Sequence, residues 1–150
     1  MTLAFEDLHA GQVYDLGSVT VAEAEMVEFA RRYDPQPFHT DPGATSPFGG
    51  MVASGWFTLA LWMRLYVDAV LLDSTAQGGS GGDELRWLSP VRAGDVLVGR
   101  LTVVETMPSS KRLDRGTAVM RGEMLRDGEP VAIVRFRGLF GRRVSPGSSL

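Results

Sequence analysis

An aspartate and a histidine, Asp34 and His39, lie five positions apart in the segment 34–39, which reads Asp-Pro-Gln-Pro-Phe-His. The two prolines fix their own backbone φ angle and keep each preceding residue out of the helical region, so the segment is stiff. An imidazole titrates near neutral pH, and a neighbouring carboxylate can orient it or exchange protons itself. The pair could therefore hold one water and move protons to and from a substrate.

The spacing of Asp34 and His39 is equally compatible with structural roles. Asp34 could end a helix through its side-chain acceptor, and His39 could cap or pack the turn that follows. On spacing alone these roles are the commoner ones, and both interpretations stay open at this point.

Ser54 and Gly55 form the second candidate, because they precede a long apolar segment with the character of a helix. A helix N-terminus offers unpaired backbone N–H groups, and a glycine there lets a ligand oxygen approach closely. Such a site would suit a thioester carbonyl on which negative charge develops. The alternative is that Ser54 is a simple N-cap and Gly55 permits tight packing. Ser54 has no glycine two positions before or after it, so it does not match a G-x-S-x-G nucleophile elbow.

The remaining polar candidates are a basic cluster and a histidine. Lys111, Arg112 and Arg115 could contact phosphates, although a solvated turn explains them as well. His9 lies in a polar N-terminal segment and is expected at the surface. We expect no metal site, because the chain offers too few ligands at suitable spacing.

The first half of the chain must position segment 34–39. Residues 12–20 have the composition of a short strand, and residues 21–33 have helical periodicity. Thr20 followed by Glu23 matches a capping box, which predicts where the helix begins. Asp34 with the proline after it ends the helix.

The remainder of the chain, from residue 56 onward, has the pattern of one buried helix followed by a β-sheet. Residues 56–72 are apolar nearly all round, which is typical of a helix enclosed by other structure. The glycine-rich residues 73–82 predict a flexible loop, and 144–150 a frayed tail. Turn signals separate four predicted strands: 83–91, 95–107, 115–126 and 130–142. The order predicts an α+β fold, an antiparallel sheet wrapped around one helix. Its free edge favours pairing with a second copy.

Length and charge narrow the class of protein. The chain has 150 residues, 44% of them hydrophobic, which predicts a single domain over 1–150. A net charge of -3 argues against a general nucleic-acid or anionic-membrane binder. The N-terminus lacks the pattern of a signal peptide, and the longest apolar run is short for a membrane span. The absence of cysteine fits a reducing compartment, so we expect a cytoplasmic protein.

Four segments of the chain resemble one family. Residues 29–42 and 48–56 look like the hydratase motif of the MaoC-like dehydratases, relatives of the (R)-specific enoyl-CoA hydratases, and 85–95 and 110–116 are further similarities. The resemblance implies a hot-dog fold, in which an antiparallel sheet wraps a long central helix. The family usually forms dimers, so a homodimer or a dimer of dimers is expected.

The resemblance also implies the chemistry. Asp34 and His39 would be the catalytic pair, and the Gly55 N–H would bind the thioester carbonyl. The reaction implied is reversible addition of water to a trans-2-enoyl thioester, giving an (R)-3-hydroxyacyl thioester. It needs no metal or redox cofactor. Coenzyme A, or the pantetheine of an acyl-carrier protein, would be part of the substrate, with Lys111, Arg112 and Arg92 as candidate phosphate contacts.

Two departures from the family pattern bear on the substrate more than on the chemistry. Gln36 stands where the stricter hydratase pattern has asparagine, and Ser54 stands where many hydratases have histidine. Two rival functions also stay open. A hot-dog thioesterase would use the same helix N-terminus to attack the carbonyl and release free thiol. A non-catalytic acyl-thioester-binding protein would keep the fold without turnover.

Overall fold

A single antiparallel sheet organises the computed structural model, which describes residues 1–143. Its strand order is β1-β3-β4-β5-β2, so β1 and β2 form the two edges. Every neighbouring pair of strands is antiparallel. The strands are β1 Val13–Thr20, β2 Ala76–Trp87, β3 Val96–Pro108, β4 Arg115–Arg126 and β5 Glu129–Gly141.

The described residues form three α-helices, α1 Glu23–Tyr33, α2 Pro37–Thr40 and α3 Gly55–Ala69, and two 3-10 turns, Phe5–Asp7 and Leu71–Asp73. The longest, α3, packs on the sheet through Trp62 and Tyr66, which are both buried. The Trp62 indole donates a hydrogen bond to the backbone carbonyl of Arg100 on β3 over 3.2 Å. The predicted α+β arrangement, a long apolar helix lying against an antiparallel sheet, is confirmed.

A glycine sets how closely α3 approaches the sheet. A Cβ atom on Gly122 of β4 would lie 2.3 Å from Cζ2 of Trp62, well inside van der Waals contact. Any larger residue would push the helix away from the strand. Beside this contact the core is filled by apolar side chains from three strands, including Leu97, Leu101, Met120, Met124 and Phe140.

The segment Gly55–Asp73, which is α3 with the turn after it, is long and apolar enough by composition to cross a membrane. In this fold the apolar composition of the segment is explained by packing inside the protein. One side of α3 covers the sheet, so the helix needs apolar residues there for the core. It is the central helix of the fold, and it ends at Ala69, three residues before the predicted end.

The predicted flexible loop over 73–82 is wrong. A short helical turn covers Leu71–Asp73, and β2 then begins at Ala76 and pairs with β5 along its length. Gly78 and Gly81 have φ angles of 94° and 123°, which glycine adopts without strain. The pairing register shifts three times in β2, so this glycine-rich stretch is a bulged edge strand.

The predicted start of α1 is also wrong. Thr20 belongs to β1 and pairs with Val96, while the helix begins at Glu23 with Ala22 as its N-cap. No side chain caps this end, so the capping-box pattern was a coincidence of spacing. The helix end is where the sequence predicts it, with Asp34 as the C-cap residue. The predicted tail, 144–150, lies outside the described residues.

Candidate active site

The stiff segment 34–36 joins α1 to the short helix α2. The Asp34 N–H still donates to the Ala30 carbonyl over 2.8 Å, as in the last turn of a helix. A new helix, α2, then begins at Pro37, whose fixed φ angle suits the first helical position. His39 is therefore held on a short helix and not in an irregular loop as predicted. Its N–H donates to the Gln36 carbonyl over 2.8 Å.

His39 and Asp34 lie side by side with their side chains in contact. The distance from His39 Nε2 to Asp34 Oδ2 is 3.3 Å. His39 is only 7% exposed, and its other ring nitrogen, Nδ1, lies 2.8 Å from the Val52 carbonyl oxygen. Because a carbonyl only accepts hydrogen bonds, Nδ1 carries the proton. The second ring nitrogen, Nε2, therefore faces the Asp34 carboxylate.

Both oxygens of Asp34 accept hydrogen bonds from other side chains. The Gln36 amide donates to Oδ1 over 2.6 Å, and the Ser54 hydroxyl donates to Oδ2 over 2.7 Å. Partial burial acts to raise the Asp34 pKa, but these two hydrogen bonds and the nearby His39 outweigh it. The pKa of Asp34 therefore lies below its ordinary value, and the group is ionised at neutral pH.

Ser54 and Gly55 lie at the N-terminus of α3, as predicted from the sequence. Ser54 is the N-cap residue, but its hydroxyl bonds Asp34 and makes no cap hydrogen bond. Gly55 is the first helical residue, so its N–H has no acceptor within the helix. A Cβ atom on Gly55 would lie 2.3 Å from the Trp87 indole, so any other residue fits here only if the indole moves.

A cavity of about 410 Å³ joins these groups. This volume is within the usual range for small-molecule sites. Asp34, His39 and Gly55 contribute the polar and backbone groups of its wall. The rest of the wall is mainly apolar, formed by Phe38, Phe48, Val52, Ala53, Trp56, Thr58, Trp87, Leu88, Ser89, Pro90, Val91 and Val131. A carboxylate and an imidazole in an apolar pocket can share a water beside a bound acyl group.

Thr58 and Trp87 are two of the cavity-wall residues that were not predicted as site residues from the sequence. Thr58 is buried and follows Ser54 by one helical turn, so helical spacing could have identified it. Trp87 reaches Gly55 from the end of β2, and its indole meets Trp56 edge-on with ring centroids 5.1 Å apart. No local pattern in the sequence signals this long-range contact.

The three candidate phosphate contacts lie in different places. Arg92 is next to the cavity. Its guanidinium donates to the Phe48 carbonyl, and its backbone N–H donates to the Asp95 carboxylate over 2.9 Å. Lys111 and Arg112 are exposed in the turn between β3 and β4. At about 3.3 Å per residue, the length of β3 separates this turn from the end of the sheet near the cavity. Within one chain they do not reach Asp34 and His39.

Residues 1–143 contain no group of three or more histidine, cysteine, aspartate or glutamate side chains placed to hold a metal ion. His9, the second histidine of the chain, is exposed and distant in sequence from the pair.

Comparison with known proteins identifies the family. The model of the MaoC like domain matches residues 6–122. An (R)-specific enoyl-CoA hydratase of Rhodospirillum rubrum is 30% identical over 142 residues, which cover 89% of this chain and 93% of the hydratase.

Solved structures agree with this assignment. A MaoC-like dehydratase from Rhodospirillum rubrum superposes with a TM-score of 0.86 at 37% identity, covering 95% of this chain and 99% of the dehydratase. A Mycobacterium tuberculosis protein described as a double hot-dog fold gives a TM-score of 0.68 at 18% identity, covering 99% of this chain and 46% of that protein. The chain therefore belongs to the MaoC-like dehydratase family and has the hot-dog fold expected from the sequence.

Proposed function

We propose that the protein adds water reversibly to a trans-2-enoyl thioester and forms an (R)-3-hydroxyacyl thioester. The observation that carries the proposal is the contact between His39 and Asp34 at the wall of an apolar cavity. The hydrogen bond from Nδ1 to the Val52 carbonyl leaves Nε2 of His39 free to accept a proton. The similarity to an (R)-specific enoyl-CoA hydratase supports the same reaction.

In the proposed mechanism, His39 Nε2 and the Asp34 carboxylate hold a water molecule against C3 of the substrate. His39 removes a proton from the water as its oxygen bonds to C3. The electrons of the C2–C3 double bond move toward the thioester oxygen, where the Gly55 N–H stabilises the negative charge. His39 then returns a proton to C2 with Asp34 assisting, and one water has been added.

The substrate handle is coenzyme A or the pantetheine of an acyl-carrier protein. We assign Arg92 to a phosphate of this handle, because it lies beside the cavity and next to Phe48. Lys111 and Arg112 can contact the same handle only from a second copy of the chain. The reaction uses a proton donor, an acceptor and a hydrogen-bond donor from the protein, so it calls for no metal or redox cofactor.

The test is the ultraviolet absorbance of the enoyl thioester, followed with crotonyl-CoA and with longer enoyl-CoAs. We expect the absorbance to fall as water adds and to rise when the (R)-3-hydroxyacyl-CoA is supplied. A thiol reagent run in parallel reports the rival reaction, since a thioesterase would release free coenzyme A. Failure to change any enoyl thioester across chain lengths would contradict the hydratase proposal.

We further propose that the protein is a homodimer paired through β2, and that it acts in the cytoplasm. Every residue of β2 is exposed, although the strand is 12 residues long and offers a free edge. Next to it, α3 exposes the apolar residues Trp56 at 56% and Met63 at 45%. An apolar groove of about 480 Å³ also lies between α3 and the sheet. A second copy would cover this surface and extend the sheet across the pair.

Replacing Met63 with glutamate should convert the dimer to a monomer, because it puts a charge into the proposed apolar interface. The matched control is Met107→Glu, since Met107 is 39% exposed near the end of β3 and belongs to neither α3 nor β2. Sedimentation of the wild type and both variants measures the effect. A Met63→Glu protein with the wild-type mass would refute this interface.

A further inference from the structure

The Asp34 carboxylate is held on both oxygens by residues from two separate parts of the chain. Gln36 lies two positions after Asp34, whereas Ser54 lies 20 positions after it at the start of α3. We propose that Gln36 and Ser54 are paired positioning residues that keep Asp34 ionised and fixed beside His39. As a consequence, His39 alone carries the proton in both steps of the reaction. This inference rests on the proposed hydratase function.

The position of Ser54 leaves its hydroxyl little freedom. Its side chain is fully buried, with an exposed fraction of 0%. Its carbonyl accepts hydrogen bonds from the N–H groups of Phe57 and Thr58 over 3.0 and 3.2 Å. The preceding residue, Ala53, donates to the Val91 carbonyl over 2.7 Å. The backbone on both sides is thus fixed, and the hydroxyl is directed at Asp34 Oδ2.

A hydroxyl at the N-cap would ordinarily bond the N–H groups of the helix it precedes. Ser54 makes no such bond and donates to Asp34 instead. The N-terminus of α3 therefore lacks a side-chain cap, and the hydroxyl that could provide it binds the Asp34 carboxylate. This choice has no benefit for the helix and indicates that the contact with Asp34 is the function of the side chain.

Gln36 binds the other oxygen of the Asp34 carboxylate. Its amide donates to Oδ1 over 2.6 Å, and its own N–H donates to the Asp34 carbonyl over 2.8 Å. Gln36 is exposed, so water competes for its hydrogen bond more than for that of Ser54. We therefore assign the larger share of the effect to Ser54. The two residues are also the two departures from the hydratase pattern, and both contact the same carboxylate.

The chemical consequence follows from the charge on Asp34. The titratable group that faces it from α2 is His39, while the loop and α3 present the neutral donors Gln36 and Ser54. A carboxylate whose pKa is held below its ordinary value is a weaker base than an imidazole, so it does not take the proton from water and has none to give to C2 of the substrate. His39 therefore takes a proton from water at Nε2 and delivers a proton from the same atom to C2. Asp34 orients the water and stabilises the imidazolium between the two steps.

The decisive experiment is an NMR titration of the Asp34 carboxyl carbon in the free protein, which needs no turnover. In Ser54→Ala we expect the Asp34 pKa to rise toward its ordinary value. Gln36→Met keeps the side-chain length without the donor, and it should move the pKa in the same direction by less. Ser18→Ala is the matched control, because Ser18 is exposed on β1. It should titrate like the wild type.

Steady-state kinetics provide the second measurement. Losing a hydrogen bond to a charged group at the site should lower kcat about tenfold in Ser54→Ala with KM little changed. Ser54→Thr retains the hydroxyl and should recover most of this loss. An unchanged Asp34 titration in both Ser54→Ala and Gln36→Met would overturn the inference. A wild type that hydrates no enoyl thioester would refute the proposed function, while the NMR titration would still decide whether the two donors hold Asp34 ionised.

Discussion

Replacing His39 with glutamine should lower kcat for enoyl-thioester hydration by about 10²- to 10⁴-fold, the usual contribution of a general base. Glutamine is similar in size and keeps a polar side chain against Val52, so the fold should persist. It has no lone pair of suitable basicity at the position of Nε2. The measurement is the initial rate of absorbance change with the enoyl-CoA that the wild type uses best.

Two further variants complete the His39 experiment. Asp34→Asn keeps the shape of the carboxylate without its charge, so it should also lose most activity. The matched control is His9→Gln, because His9 is the other histidine of the chain and is exposed. The control should retain wild-type rates. If His39→Gln and Asp34→Asn both keep full activity, water is not activated by this pair.

Replacing Gly55 with alanine should lower kcat/KM by about 10²-fold, the scale expected for a misplacement of about 1 Å at a catalytic site. The added methyl group would lie 2.3 Å from the Trp87 indole, so one of the two must move. Trp87 is 45% exposed and can swing outward, which spares the fold. Its displacement opens the cavity wall beside the N–H that is proposed to bind the thioester oxygen.

A double variant separates the clash from other effects of Gly55→Ala. Trp87→Ala removes the indole, so Gly55→Ala should cost much less in that background than in the wild type. Gly43→Ala is the matched control, because a Cβ there meets only an Asp41 oxygen at 3.5 Å. Thermal unfolding reports whether the variants stay folded. Equal losses from Gly55→Ala with and without Trp87 would exclude the clash as the cause.

The sequence predicted those parts of the fold that local chemistry decides. Proline after Asp34 ends α1 where expected, and the apolar run after Ser54 forms the central helix. The β4 strand has the predicted bounds, Arg115–Arg126. Each of these features depends on residues a few positions apart, such as a turn or a helical repeat.

The failures lie where distant segments decide the outcome. Residues 78–82, four glycines and a serine, have the composition of a loop, yet β5 pairs with them and makes them part of the sheet. The hydrogen bond between Ser54 and Asp34 spans 20 positions, so no local pattern could reveal that the hydroxyl turns away from its helix. Lys111 and Arg112 were predicted as phosphate contacts, and the length of β3 separates them from the cavity of their own chain.

Because β2 contains bulges, the number of residues in its glycine-rich segment, 78–82, does not decide where Trp87 lies in the cavity wall. Trp87 is placed by its regular pairing with Ala132, after the last register shift, which falls between Gly82 and Glu84. A residue gained or lost among 78–82 would change the size of a bulge and leave Trp87 over Gly55. The same change between Glu84 and Trp87 would turn the indole to the other face of the sheet and open the cavity. Length variation is therefore tolerable in one half of this strand and harmful in the other.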